Sequence, residues 1–193
     1  MIEKLYPYEC EKSVFDIDYE KLYDCGYRGL VFDIDNTLVH HGDDATPEVE
    51  ALFRRLHKMG FKTLLLSNND EERILRFIRN IDTLYIADAA KPDPGGCFKA
   101  AEMLQTGFDR TVFIGDQIFT DILAANRSGM ASILVDYIVV DERAWIGRSA
   151  SRVVQRREAL RRAAQRTRFP VYIQDRRGGS SFFKGRRKMV QDL

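Results

Sequence analysis

Short apolar runs alternate with amphipathic segments between about residue 29 and residue 135 of the chain. The runs have the length and composition of buried strands, and they cover residues 30–33, 61–66, 83–86, 111–114 and 131–135. The intervening segments carry apolar residues at helical spacing and predict helices at 47–59, 70–79, 96–105 and 120–128. Repeated strand–helix units of this kind predict an α/β fold, with a parallel sheet covered by helices on both faces.

Residue types at the helix ends support this pattern. Thr46 and Pro47 are typical of an N-cap and a first helical position, and Gly60 is typical of a helix end. In the helix predicted at 70–79, the inward face is assigned to Ile74, Leu75 and Ile78.

The two ends of the chain have weaker patterns. The first 25 residues are predicted to pack against the body as one or two short helices. Residues 15–18 repeat the tetrapeptide Phe-Asp-Ile-Asp of residues 32–35, but no apolar run precedes them, so Asp18 is interpreted as a helix cap. Beyond residue 136 the pattern decays, and a basic helix is predicted at about 148–166.

Reactive side chains follow four of the predicted strands. They are Asp33, Asp35, Thr37, Ser67, Asn68, Lys91, Asp116 and Asp121. Because the carboxyl ends of parallel strands meet at one edge of a sheet, these groups are expected to converge. So many carboxylates repel one another unless a cation binds, and an oxygen-only set favours Mg²⁺ over zinc. Together with a lysine and a hydroxyl, such a Mg²⁺ site is suited to phosphoryl chemistry.

These residues resemble the four motifs of the haloacid dehalogenase (HAD) superfamily. Residues 33–37 match its DxDxT signature, and Ser67 and Lys91 fit the second and third motifs. Gly115-Asp116, with Asp121 five residues beyond Asp116, fits a common form of the fourth motif. The resemblance implies a three-layer, Rossmann-like HAD fold and a phosphatase that works through an aspartyl-phosphate.

The resemblance also assigns roles to the carboxylates. Asp33 would attack phosphorus, and Asp35 would be the general acid for the leaving oxygen and then the general base for water. Asp33, Asp116 and the backbone carbonyl of Asp35 would hold Mg²⁺.

The remaining predicted site residues would bind or orient the phosphoryl group. Ser67, Asn68 and Lys91 would bind its oxygens, so that Lys91 also counts among the catalytic residues. Asp121 would orient Lys91 or metal-bound water. Thr37 would contact the carboxylates without itself binding the metal or the phosphoryl group.

Other candidate ligands are interpreted as structural. His40 and His41 have no neighbouring thiol or imidazole in the sequence, which favours a loop at the mouth of the site over a metal centre. Cys10, Cys25 and Cys97 lie far apart and are odd in number, which argues against disulfides and predicts reduced thiols.

The spacing of the motifs leaves little room for a cap domain. One helix and one turn fill the interval from Asp35 to Ser67, and one helix and one strand fill the interval from Ser67 to Lys91. An uncapped site is open and suits a bulky or surface-bound substrate.

A narrower resemblance is to the IIIA subfamily, and within it to the group of bacterial YqeG-type proteins and mitochondrial phosphatidylglycerophosphate phosphatases. The residues that carry it lie mainly at 12–16, 33–39 and 115–121, with further similarity at Asn126-Arg127 and Trp145. It implies a catalytic domain at 1–148 and a lipid phosphate as the substrate. A soluble sugar, nucleotide or protein phosphate is the alternative enzyme substrate, and an RNA- or membrane-binding protein with a vestigial site is the alternative class.

The charge distribution separates the C-terminal residues from this domain. The chain of 193 residues has a formal net charge of +1, but residues 151–193 contain 13 basic and 3 acidic residues, which leaves 17 basic and 26 acidic residues in 1–150. Residues 149–193 are therefore predicted to be a basic extension, partly helical or disordered. Its interpretations are a solvated helix, contact with the acidic body or another subunit, attraction to anionic lipid, and RNA binding, and no aromatic RNA-recognition motif supports the last.

The sequence has neither a secretory leader nor an apolar run of membrane-spanning length, which predicts a cytoplasmic protein. Contact of the basic extension with lipid would place it peripherally at the inner membrane face. The pattern carries no signal for an oligomeric state.

Overall fold

A computed structural model describes residues 2–138, and the predicted basic helix and the rest of the extension lie outside the described residues. The described part contains one sheet of six parallel strands. They are β1 (Glu9–Glu11), β2 (Gly29–Phe32), β3 (Lys62–Leu66), β4 (Leu84–Ile86), β5 (Thr111–Gly115) and β6 (Ala131–Val135). Their order across the sheet is β1-β6-β5-β2-β3-β4.

Helices cover both faces of this sheet. They are α1 (Tyr19–Asp24), α2 (Pro47–Met59), α3 (Glu71–Phe77), α4 (Gly95–Leu104) and α5 (Leu123–Ser128). Alternate residues of β2 point to opposite faces, so Phe32 packs in a core with α1, α2 and α3, whereas Val31 packs in a second core with α4 and α5. The predicted three-layer α/β fold is confirmed, and the described residues include no cap domain.

Local signals explain how two of these helices begin and end. The Thr46 hydroxyl accepts a hydrogen bond from the backbone N–H of Val49, and Pro47 occupies the first helical position of α2. Gly60 ends α2 in the left-handed conformation at φ 95°. Asp18 accepts a hydrogen bond from Lys21 N–H at 2.9 Å, which confirms its interpretation as the cap of α1.

Two predictions of local structure are wrong. The first 25 residues contain a strand, β1, as well as a 3-10 turn (Ile2–Leu5) and α1. This three-residue strand has no pattern of its own, because it is defined by pairing with β6 at the sheet edge. Leu75 does not face inward: it is exposed, and Phe77 is buried together with Ile74.

The order of the strands places the reactive end of the molecule. The chain leaves β2 for β3 on one side and later returns to β5 on the other side of β2. A crevice forms outside the carboxyl ends of the strands at such a switch point. The segments that follow β2, β3 and β5 therefore border one crevice.

Candidate active site

The crevice beyond β2 and β5 contains a buried ion cluster. Lys91 Nζ lies 2.5 Å from Asp33 Oδ1 and 2.8 Å from Asp121 Oδ1, with the side chains of all three residues less than a tenth exposed. Thr37 Oγ1 lies 3.2 Å from Asp116 Oδ1 and 3.4 Å from Asp33 Oδ2, so the hydroxyl bridges two carboxylates. The structure thus brings together these five predicted residues.

Burial and charge shift the pKa values within this cluster. Burial raises the pKa of Asp33 to about 6, with Asp121 adding to the shift and Lys91 opposing it. Burial opposes ionisation of Lys91 as well, but the charges of Asp33 and Asp121 raise the pKa of this ammonium above its ordinary value. Lys91 is therefore a fixed positive charge, and Asp33 is the carboxyl whose ionisation burial disfavours.

The carboxylates also fit a divalent cation. Asp33, Asp116 and Asp121 each present one oxygen atom, and these three atoms lie within 4.8 Å of one another. With Lys91 as their neighbouring cation, three ionised carboxylates leave this cluster with a net charge of −2. A divalent cation would neutralise this charge, and Mg²⁺ is a divalent cation that prefers oxygen ligands.

The side chain of Asp35 has its hydrogen-bond partners outside that group. Asp35 Oδ1 accepts hydrogen bonds from Gly42 N–H and Arg73 Nη2, both at 3.0 Å. Asp35 Oδ2 accepts one from Asn69 Nδ2 at 2.5 Å and lies 3.4 Å from His41 Nδ1. Partial burial disfavours the charge, but these donors and Arg73 outweigh it and hold the pKa of Asp35 below its ordinary value.

The two residues after β3 differ in what they offer a ligand. Both polar atoms of the Asn68 amide contact the backbone of Lys91: Oδ1 accepts from its N–H at 2.8 Å, and Nδ2 donates to its carbonyl at 3.2 Å. Asn68 therefore fixes the backbone position of Lys91, and it also lines the pocket with a second Nδ2 proton that this contact does not use. Ser67 Oγ accepts from Asn69 N–H at 3.1 Å, which leaves its hydroxyl proton for another acceptor.

A single π-helical turn, Ile118–Ile122, places Asp121 after β5. Asp121 Oδ2 accepts a hydrogen bond from Gln117 N–H at 3.0 Å. A Cβ atom at Gly115 would lie only 2.5–2.6 Å from three side-chain atoms of Asp121, so the glycine permits the close approach. The sequence predicts one helix at 120–128. In the structure this segment begins within the π-helical turn and continues as α5.

A pocket opens from the cluster to the surface. Every described residue that lines it is polar, and Gln117 and Thr120 are among these residues. Between them, Phe119 is 63% exposed. His41 also lines the pocket, at the mouth where the sequence placed the His40-His41 loop.

Sequence reasoning missed the residues that contact Asp35, above all Asn69 and Arg73. Asn69 follows the same strand as Ser67, so its position at the strand end could have identified it as a site residue. Arg73 lies on α3 among other charged residues, and no residue pattern separates it from a solvated helix face.

Comparisons with known proteins agree with this fold. Residues 40–129 match the model of the haloacid dehalogenase-like hydrolase family. The NagD structure from Escherichia coli K-12 superimposes with a TM-score of 0.50 at 16% identity, covering 63% of this chain and 92% of that one. The class is thus a HAD-like hydrolase.

Two curated relatives narrow the class. A Bacillus subtilis protein named "Probable phosphatase YqeG" is 35% identical over 137 residues, which cover 70% of this chain and 80% of the relative. The chain therefore belongs to the YqeG-like family of HAD phosphatases. A Chlamydomonas reinhardtii protein named "Phosphatidylglycerophosphate phosphatase 1, chloroplastic" is 29% identical, and the match spans 67% of this chain but only 52% of that relative.

Among residues 2–138, no helix combines the length and the apolar character needed to cross a bilayer.

Proposed function

We propose that this phosphatase is a Mg²⁺-dependent phosphomonoester hydrolase, that it acts through an aspartyl-phosphate on Asp33, and that its substrate is phosphatidylglycerophosphate. The observation that carries the proposal is the buried cluster of three carboxylates, one ammonium and one hydroxyl, of which Asp33, Lys91 and Asp121 line a polar pocket.

Each chemical step has a residue suited to it. An Asp33 carboxylate oxygen attacks phosphorus, the bond from phosphorus to the leaving oxygen breaks, and Asp35 in its protonated form gives that oxygen a proton. Asp35 then takes a proton from water, which attacks the aspartyl-phosphate and releases inorganic phosphate and free Asp33. Lys91 and the Ser67 hydroxyl neutralise and orient the phosphoryl oxygens throughout.

A cation completes the charge balance of this site. Mg²⁺, when bound, would be held by Asp33, Asp116 and the backbone carbonyl of Asp35, and would supply the positive charge that stabilises the transferring phosphoryl group. Asp121 supports Lys91 at 2.8 Å and is the third carboxylate of the group.

Two features of the pocket favour a lipid phosphate. Its described lining is polar throughout, so it suits a phosphate headgroup and offers no apolar cavity for an organic group. Phe119, which is exposed and precedes the pocket residue Thr120 in the sequence, offers an apolar side chain to the apolar part of an amphiphile or to a membrane surface. The name of the Chlamydomonas relative points to the same substrate.

A panel of phosphate monoesters tests the reaction and the substrate together. The full chain is assayed with and without Mg²⁺ on phosphatidylglycerophosphate in anionic vesicles, glycerol 3-phosphate, a sugar phosphate, a nucleotide and a phosphopeptide. We expect Mg²⁺-dependent release of phosphate, fastest from the lipid. Faster turnover of a soluble ester would change the assigned substrate but leave the proposed mechanism intact. No turnover of any ester would favour a binding protein with a vestigial site.

Phe119 gives this assay a matched control. Phe119→Ala should lower the ratio of vesicle to glycerol 3-phosphate hydrolysis about tenfold, in line with the free energy of burying one aromatic side chain. Phe108→Ala alters an exposed phenylalanine directly before β5, at the opposite end of that strand, and should leave the ratio unchanged. Equal ratios for the two variants would argue against lipid contact at Phe119.

We also propose that residues 1–148 form the catalytic domain and that residues 149–193 attract the protein to anionic lipid. Deletion of residues 150–193 should weaken vesicle binding, and high salt should weaken binding of the full chain in the same way. Loss of RNA binding instead would assign the extension to nucleic acid. Loss of neither would leave a solvated segment or one that contacts the acidic body.

A further inference from the structure

Two arginines of α3, Arg73 and Arg76, contact the loop that follows the DxDxT motif. Arg73 Nη2 donates to the Asp43 carbonyl at 2.7 Å, and Arg76 Nη2 donates to the Gly42 carbonyl at 2.8 Å. Their surroundings differ, since the Arg73 side chain is 11% exposed whereas that of Arg76 is 47% exposed and pairs with Asp44. Of these two arginines, Arg73 is the one that also contacts the Asp35 carboxylate, at 3.0 Å.

The contacts of Asp35 divide its two oxygens between two environments. Oδ1 accepts from Arg73 and from Gly42 N–H, and neither of these residues lines the pocket. Oδ2 contacts Asn69 and His41, and both of these residues line it. The carboxylate is therefore held with Oδ1 turned to α3 and the loop, and Oδ2 on the side of the pocket.

We propose that Arg73 is the positioning residue of this site: it fixes Oδ1 of Asp35 so that Oδ2 faces the leaving oxygen of the phosphate ester. The inference rests on the proposed function, because it concerns the acid–base step assigned to Asp35. A carboxylate that moves a proton must lie within hydrogen-bond reach of the leaving oxygen, and small errors in its position cost rate more than affinity.

The remaining nitrogens of Arg73 argue against a purely stabilising role. Arg73 Nε and Nη1 are buried and have no hydrogen-bond partner among residues 2–138. Burial of unpaired donors is unfavourable for folding, so the guanidinium is not placed there to maximise hydrogen bonding. Its planar group is anchored instead by two contacts from one nitrogen and by the Phe77 ring, 5.6 Å from Arg73 Cζ.

The test compares Arg73→Ala with Arg76→Ala in the Mg²⁺-loaded full chain, with glycerol 3-phosphate or the best soluble ester of the panel as substrate. Arg73→Ala should lower kcat between about 10- and 100-fold and change KM less than about threefold. Arg76→Ala removes a contact to the same loop but none to Asp35, and it should keep kcat within about twofold. Equal losses in the two variants would overturn the proposal, since they would show that the loop as a whole had been disturbed.

Chemical rescue separates positioning from folding. Guanidinium at millimolar concentration should restore part of kcat in Arg73→Ala and none in Arg76→Ala, and Arg73→Lys should keep more activity than Arg73→Ala. An Arg73→Ala protein that unfolds at the same temperature as the parent, yet is not rescued, would count against the proposal.

A double-mutant cycle tests whether Arg73 acts through Asp35. If it does, Arg73→Ala should lower the residual kcat of Asp35→Asn by less than about twofold. A full further loss in that background would assign Arg73 an independent contact with substrate and overturn the positioning role. Full activity of Asp35→Asn alone would refute the proposed acid–base mechanism, which is a separate outcome.

Discussion

The chain contains the tetrapeptide Phe-Asp-Ile-Asp twice, at residues 15–18 and at residues 32–35, and the two copies lie in different environments. In the first copy, Phe15 is 49% exposed and both aspartates lie on the surface. In the second copy, Phe32 is fully buried and Asp33 is 6% exposed. The same four residues therefore form a turn with only Ile17 buried in one place and the centre of the candidate site in the other.

The difference comes from what precedes and surrounds each copy. A buried central strand leads into the second copy and places Asp33 at its carboxyl end. There burial raises the pKa of Asp33 to about 6, and Lys91 lies 2.5 Å away. The first copy follows an edge strand, and its aspartates make local contacts: Asp16 accepts from the Ser13 hydroxyl at 2.6 Å and Asp18 caps α1. Reactivity thus depends on burial and on neighbouring charge, which a four-residue motif does not contain.

The largest expected effect separates the first aspartates of the two copies. Asp33→Asn should lower kcat at least about 10⁴-fold, because the amide is not a nucleophile toward phosphorus. Asp16→Asn should leave kcat within about twofold. Phosphate release from the best ester of the panel, with Mg²⁺ present, measures both.

Asp33→Asn should remain folded, which makes the kinetic result interpretable. The substitution removes one negative charge from a cluster that has an excess, and Lys91 keeps Asp121 at 2.8 Å. A cooperative thermal transition near that of the parent would establish this. A folded Asp33→Asn protein with substantial turnover would refute the aspartyl-phosphate mechanism.

The next largest effect separates the two phenylalanines. Phe32 packs against Phe53 in the core between the sheet and α2, with ring centroids 5.3 Å apart, so Phe32→Ala should cost about 3–5 kcal/mol of unfolding free energy. Phe15→Ala should cost less than about 0.5 kcal/mol, because the ring is half exposed already. Urea denaturation at pH 7 compares them, and similar midpoints would show that the two copies do not differ in burial as described.

The fold could be predicted from the sequence where local residue patterns decide the structure. The central strands and the ends of α2 follow from apolar runs, a capping threonine and a terminal glycine, all of which are local signals. It failed at β1, which exists because β6 provides a pairing partner, and at Leu75, because the inward face of α3 includes Phe77 instead. Both failures depend on tertiary contacts that no local window of sequence contains.

The candidate site divides in the same way. Residues at strand ends could be predicted to converge, because topology alone brings Asp33, Ser67 and Asp116 to one edge. The hydrogen bonds of the Asn68 amide to the backbone of Lys91 and the partners of Asp35 were not predicted. These contacts depend on side-chain direction and on how the loop after β2 lies against α3, which sequence spacing does not determine.

The smallest expected effect concerns the last aspartates of the two copies, and it tests whether Asp18 has only a local role. Asp18→Ala removes the acceptor for Lys21 N–H at the start of α1 and should cost about 1 kcal/mol of unfolding free energy, whereas Asp18→Ser keeps an acceptor and should cost less. Neither substitution should change kcat or KM, because the contacts of Asp18 lie within its own helix. Urea denaturation together with steady-state kinetics on one soluble ester measures both quantities. A fall in kcat with either variant would mean that the first copy of the tetrapeptide communicates with the site, and that burial is not the whole difference between the two copies.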